Sequence, residues 1–208
     1  MPTSLSDLRF SLLSCSCILG LLVSISLPHL SAMDMVRLYW VPSEGGHQIT
    51  QLRFGVWAFC LEVPPSARSC SGAGPAYPLY MPMLGASISS SWTRGLVAQP
   101  IAMIFTILAL SLSSSHRLSA RFLTAILATF FTILSFAAQI ALLIKVKTEL
   151  GKLNNNLFRE STKPGAGFWL SSISMVMLSI ATCLTFFDER ECNISEKPRY
   201  LPLSDPEN

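Results

Sequence analysis

Four long apolar runs without a single Asp, Glu, Lys or Arg limit this chain more than any other feature: residues 10–30, 96–112, 122–144 and 166–187. A helix needs about 20 residues to cross a hydrocarbon core, and a charge left at the centre of one costs at least roughly 2.5–3.5 kcal/mol. Each run therefore reads as a transmembrane helix. The second is the shortest and carries Pro100 near its start, where the missing N–H costs least because first-turn donors have no helical partner. The first run has an alternative reading as a signal peptide with a cleavage site near Leu30-Ser31-Ala32. Its apolar stretch exceeds the ~7–15 residues usual for such a leader, which favours a retained helix.

The rest of the composition agrees with lipid as the solvent. Half of the 208 residues are hydrophobic and only 13% are charged. The net charge of +3 is small and dispersed, whereas a nucleic-acid surface concentrates its basic residues on one face; nucleic acid is not an expected partner. The lipid bilayer is. No nucleophile stands with a base, no His/Cys/Asp/Glu group has ligand spacing, no glycine-rich loop precedes Lys and Ser or Thr, and no pair of carboxylates sits inside a span to relay protons. The expectation is a protein that is not an enzyme and that holds no metal or cofactor.

The spans divide the chain into a cytoplasmic N-terminus (1–9), a large outer link (31–95), a short cytoplasmic turn (113–121) that forces an antiparallel hairpin, a second outer link (145–165) and a tail (188–208) expected to be disordered. Charge alone argues against this orientation, because the second link holds Lys145, Lys147, Lys152, Arg159 and Lys163, and basic residues favour the cytoplasmic side. Cysteine chemistry argues for it. Cys60 and Cys70 are separated by nine residues in a Pro- and Gly-containing link, which suits a disulfide, and disulfides persist on the oxidising side of a membrane. So small a link cannot bury a core of its own, so that closure would matter, at about 3 kcal/mol. In Gly55-Val56-Trp57-Ala58-Phe59-Cys60, the glycine permits close backbone approach and the tryptophan suits the membrane interface.

Trp40, the Gly55-x-Trp57-x-x-Cys60 motif and Cys70 resemble the first extracellular loop of claudin-type four-span proteins. Three further landmarks are similar to the fungal PalI family: Leu96-Val97-Ala98-Gln99-Pro100-Ile101-Ala102, Ser135-Phe136-Ala137-Ala138-Gln139 and Gly165-Ala166-Gly167-Phe168-Trp169-Leu170. The likeness runs from about residue 8 to 190. Gln99 stands where members commonly have His, Gln139 near the position of an acidic residue, and Ala58 where Gly is common. The tail is short where many members carry a long one, so a role that needs an extended cytoplasmic scaffold is not the expectation.

The resemblance implies an all-α membrane protein: a claudin-like four-helix bundle with a small disulfide-closed outer loop, at the plasma membrane. It implies an accessory role in ambient (alkaline) pH signalling, in which the protein assists a seven-span pH sensor. A related branch of the same superfamily implies an alternative role, the structural organisation of plasma-membrane domains with effects on cell wall and endocytosis. Cys60, Cys70, Gly55, Trp57 and Trp40 would shape the outer loop. Gln139, a polar amide inside the third span, calls for an interhelical hydrogen bond. Cys183 and Cys192 flank the inner end of the fourth span and are candidate palmitoylation sites; Cys15 and Cys17 read as packing residues. Asn193-Ile194-Ser195 matches a glycosylation pattern but falls on the cytoplasmic side in this orientation. Exposed histidines titrate near pH 6.5, yet His29, His47 and His116 are isolated from one another in the sequence and read as solvated groups.

Overall fold

The computed structural model describes residues 3–26, 29–30, 32–40, 51–63, 67–72, 74, 77–81, 86–113, 118–151 and 160–195. His47 and His116 lie outside them. Helix α1 (Thr3–Ser24) leads into strands β1 (Val36–Trp40), β2 (Gln51–Phe54), β3 (Phe59–Val63), β4 (Ala67–Cys70), β5 (Leu79–Met81) and β6 (Ala86–Ile88). A one-and-a-half-turn helix α2 (Ser90–Arg94) and a 3-10 turn (Gly95–Val97) run into α3 (Ala98–Leu112). Then follow α4 (Leu118–Gly151), β7 (Glu160–Pro164) and α5 (Ala166–Ser195). Four stretches are long and apolar enough to cross a membrane, Ser6–Ser24, Ser90–Leu112, Ala120–Thr148 and Ala166–Asp188, as a multi-pass membrane protein requires.

These helices are placed differently from the uncharged runs. The first helix ends at Ser24, because 22 residues already give about 33 Å of helix and Pro28 follows closely. The fourth helix, of 34 residues, would be about 51 Å long, well beyond a ~30 Å core, and it carries Lys145 and Lys147 near its end, Lys145 over the Trp92 ring at 5.6 Å. The last helix continues to Ser195, so the first residues of the tail expected to be disordered are helical. Asp188-Glu189-Arg190-Glu191 tolerates a helix well, and the next proline is Pro198.

The all-α expectation needs correction. Strands from the links 31–95 and 145–165 form one antiparallel sheet in the order β4-β3-β2-β1-β7, with a separate β5–β6 hairpin. The large link, expected as a loop, supplies four strands of that sheet, and the second link supplies the fifth. Period-two alternation explains β1 and β2: Val36, Leu38, Leu52 and Phe54 are buried while Arg37, Tyr39, Gln51 and Arg53 are only half-buried, as side chains on opposite faces of a strand must be. The register pairs Val36 with Phe54 and Leu38 with Leu52, which puts the four apolar side chains on one face.

That face does not form a core alone. Val23 of α1, Leu96 before α3, and Leu142 and Val146 of α4 join Met35, Val36, Leu38, Leu52, Phe54 and Val56 in one buried cluster. The protruding helix ends are the second layer that the sheet needs.

The bundle is organised in the opposite sense. Ile18, Ile104, Phe130, Leu123 and Trp169 are exposed, while Ser16, Gln99, Thr106, Ser135, Gln139, Ser171 and Ser174 are buried. Small residues make the close helix contacts: a Cβ on Gly20 would collide with the sulfur of Met103, and one on Gly95 would come within 2.9 Å of Ala138 Cβ.

Candidate functional site

The residues that carried the sequence argument meet at the junction of sheet and bundle. Cys60 and Cys70 face each other across β3 and β4 and are joined by a disulfide. The bond closes the β3–β4 hairpin at its open end; Cys60 is fully buried and Cys70 is exposed.

Gly55 and Trp57 form the turn between β2 and β3. Gly55 N–H donates to the Ala58 carbonyl at 2.9 Å, and the Gly55 carbonyl accepts from the Tyr77 hydroxyl at 2.8 Å. Trp57 Nε1–H donates to the Ser24 carbonyl at 2.6 Å. That carbonyl sits at the end of α1, where the last four helical acceptors lack intrahelical partners. Val56 N–H donates to Ser26 Oγ at 2.9 Å. The turn thus seals the C-terminal end of α1 with two bonds. Trp40 pairs through its backbone with Glu160 of β7; its side chain is outside the described residues.

Tyr77 belongs to the same junction and was not singled out in the sequence. It is buried against Phe59, with ring centroids 5.8 Å apart, and burial pushes its hydroxyl well above the ordinary tyrosine value. Thr93 Oγ1–H donates to the Tyr77 carbonyl at 2.9 Å, which ties the entry of the second span to the same point.

A second clasp joins β1 to the start of α5. Asp34 is fully buried and accepts two hydrogen bonds from the Arg37 guanidinium, from Nε and, at 2.8 Å, from a terminal nitrogen. These bonds to the carboxylate drive the arginine pKa further up. Gly165 N–H donates to Met35 O at 2.9 Å and Gly167 N–H to Asp34 O at 2.8 Å. A side chain on Gly165 would run into the backbone of Asp34, so here glycine is required by close approach.

Inside the bundle, Gln139 is buried and its Nε2–H donates to Ser171 Oγ at 3.0 Å, linking α4 to α5. One turn away, Ser135 Oγ–H donates to Gln99 Oε1 at 2.7 Å, linking α4 to α3. Ser16 and Ser174 share a hydrogen bond at 2.9 Å between α1 and α5. The polar pairs therefore cross three helix interfaces. Cys183 is exposed on α5 and Cys15 on α1, whereas Cys17 is buried; the backbone of Cys192 lies in the last turn of α5. Among the described residues, no three His, Cys, Asp or Glu side chains converge to hold a metal. What this arrangement offers chemically is a rigid, covalently closed surface at one end of a helical bundle.

No protein-family model matches the chain, and no curated protein does.

Proposed function

We propose that the chain is a PalI-like accessory protein of the fungal plasma membrane that helps a seven-span sensor of ambient alkaline pH reach or work at the surface, through a claudin-like outer domain. The observation that carries the reading is where the four landmark segments of the resemblance fall. Gly55, Trp57, Cys60 and Cys70 lie in the sheet and its sealing turn. Gln99 and Gln139 are the buried amides that join helices, and Gly165 and Gly167 pack on Asp34. Each landmark occupies a joint between elements, so the resemblance and the architecture depend on the same residues.

The disulfide sets the orientation in this reading. Its end of the molecule faces the oxidising side, which leaves the opposite end, with Arg9, Arg121 and Arg190, in the cytoplasm. A stiff outer sheet and lipid-facing apolar helices are features of a protein that acts by contact with other membrane proteins.

The test is made in a strain lacking this protein, at alkaline pH, by measuring the surface fraction of the seven-span sensor and the proteolytic activation of the pathway's transcription factor. Both fall, and the wild-type chain restores them, if the proposal holds. If neither changes, the chain belongs with the organisers of plasma-membrane domains.

A further inference from the structure

The end of the bundle remote from the sheet holds an arrangement that neither the sheet nor the accessory role uses. Arg9 of α1 is 93% buried, with a relative exposure of only 7%, and Arg121 opens the membrane-crossing part of α4. Both line a single cavity, with Leu13, Ala109, Ala125 and Thr185 as further walls, so all four helices contribute to it. Arg9 donates to Asp188 at 2.9 Å and Arg121 donates to the Ser113 carbonyl at 3.4 Å. The Nε–H of each arginine is buried and has no hydrogen-bond partner among the described residues. Among those residues a carboxylate pairs with Arg9, and none pairs with Arg121.

Buried donors left unpaired are costly, and charged ones most of all. An acceptor that also carries negative charge would correct both faults. The cavity has a volume of about 10 Å³, enough for one oxygen-sized atom, and its mouth is open. A single oxygen of a larger oxyanion therefore fits, with the remainder outside. Planar guanidinium forks match phosphate oxygens in geometry as well as charge.

The level of the site selects the source of that phosphate. Arg121 lies next to the first residue of the span Ala120–Thr148, and Asp188 is the last residue of Ala166–Asp188, so the mouth is at headgroup depth. Phe186, next in the chain to the lining residue Thr185, is exposed, packing on Phe122 at 5.7 Å and lying under the Arg190 guanidinium at 4.7 Å. An aromatic rim with a cationic group above it suits the junction of headgroup and acyl chain.

We propose that this cavity binds the phosphate of an anionic phospholipid, one non-bridging oxygen entering between the walls beside the guanidinium groups of Arg9 and Arg121. The site is independent of which membrane protein the outer sheet contacts, and a binding assay in detergent, with both ends accessible, does not depend on the orientation. Full-length protein purified in a nonionic detergent is titrated with short-chain phosphatidate, short-chain phosphatidylcholine and inorganic phosphate, reading the thermal unfolding midpoint and, by native mass spectrometry, the lipid retained.

Phosphatidate should raise the midpoint saturably and be retained in preference to phosphatidylcholine. Arg121→Gln, checked for a folded elution profile, should raise the half-saturating concentration about tenfold or more, the effect of losing a charged hydrogen bond. Arg121→Lys keeps the charge without the fork and should fall between the two. If inorganic phosphate saturates the effect and displaces phosphatidate at similar concentrations, the site stands and its ligand is a free anion. Equal retention of phosphatidate and phosphatidylcholine by the wild-type protein, or undiminished phosphatidate binding by folded Arg121→Gln, overturns the proposal and leaves the cavity to water.

Discussion

The sheet and the bundle are built from opposite halves of the same rule. In the sheet, Val36, Leu38, Leu52 and Phe54 are buried and Arg37, Tyr39 and Arg53 turn outward; in the bundle, Ser135, Gln139, Ser171 and Ser174 are buried while Ile104, Phe130 and Trp169 face outward. Water drives the first arrangement by expelling apolar area. Lipid provides no such drive, so close packing and small polar pairs hold the second. The inversion occurs within a few residues, around Ser24, Gly95, Leu142 and Gly165. One consequence is that the two regions should respond very differently to single substitutions.

The largest effect is expected at the joint itself. Gly165→Val would force the Asp34 backbone away and break the β1–β7 pairing, costing about 3 kcal/mol, the upper part of the overpacking range. Trypsin digestion of the purified protein should cut the outer region at a rate far above wild type, with the helical circular dichroism retained. If the sheet resists trypsin as before, the joint is not where the two regions are coupled.

Cys60→Ser comes next, at roughly 2–3 kcal/mol from the lost loop closure, and it should act on the sheet alone. Lower surface expression is the cellular readout; normal surface level with normal association would remove the disulfide from the argument.

Tyr77→Phe loses one buried hydrogen bond, about 1 kcal/mol, and alters a pH dependence. The Tyr77 hydroxyl has a raised pKa in the folded protein, so its stabilising contribution is complete below pH 10, the ordinary tyrosine value, and declines as pH rises beyond it. The unfolding free energy of the wild type, from denaturant titrations, should fall above pH 10 by up to about 1.4 kcal/mol per pH unit from this group. The Phe variant should lack that component of the slope, and identical slopes would mean that the hydroxyl is not buried.

The smallest effect is predicted in the bundle. Gln139→Leu removes the bond to Ser171, worth about 0.6 kcal/mol in such settings, and also removes an Oε1 that has no partner among the described residues. Unfolding in a denaturing detergent should shift by less than ~1 kcal/mol. A shift as large as that of Cys60→Ser would erase the contrast between the regions.

What could be read from the sequence follows the same division. The spans were legible because lipid excludes charge over a whole helix, a signal that needs no knowledge of partners. The Cys60–Cys70 pairing was legible because its two ends are close in the chain. Strand β7, Glu-Ser-Thr-Lys-Pro, was not: it has no apolar alternation, and only its pairing with β1, more than a hundred residues earlier, makes it a strand. The helical ends beyond the uncharged runs were hidden for a related reason, since Lys145 and Lys147 end an uncharged run without ending the helix. Arg9 gave no signal of burial, because its carboxylate partner Asp188 is 179 residues away.

The position of β7 has a consequence in time. Val36 and Pro164 are neighbours in the sheet, yet at ~5–20 residues per second of synthesis the ribosome makes one roughly ten seconds or so after the other. During that interval β1 presents an unpaired edge, and two further helices must be threaded into the membrane before it is covered. Completion of the sheet is therefore a late event that reports the insertion of α3 and α4, and any retention machinery that recognises bare strand edges would hold this chain until that helical pair is in place, with only α5 still to follow.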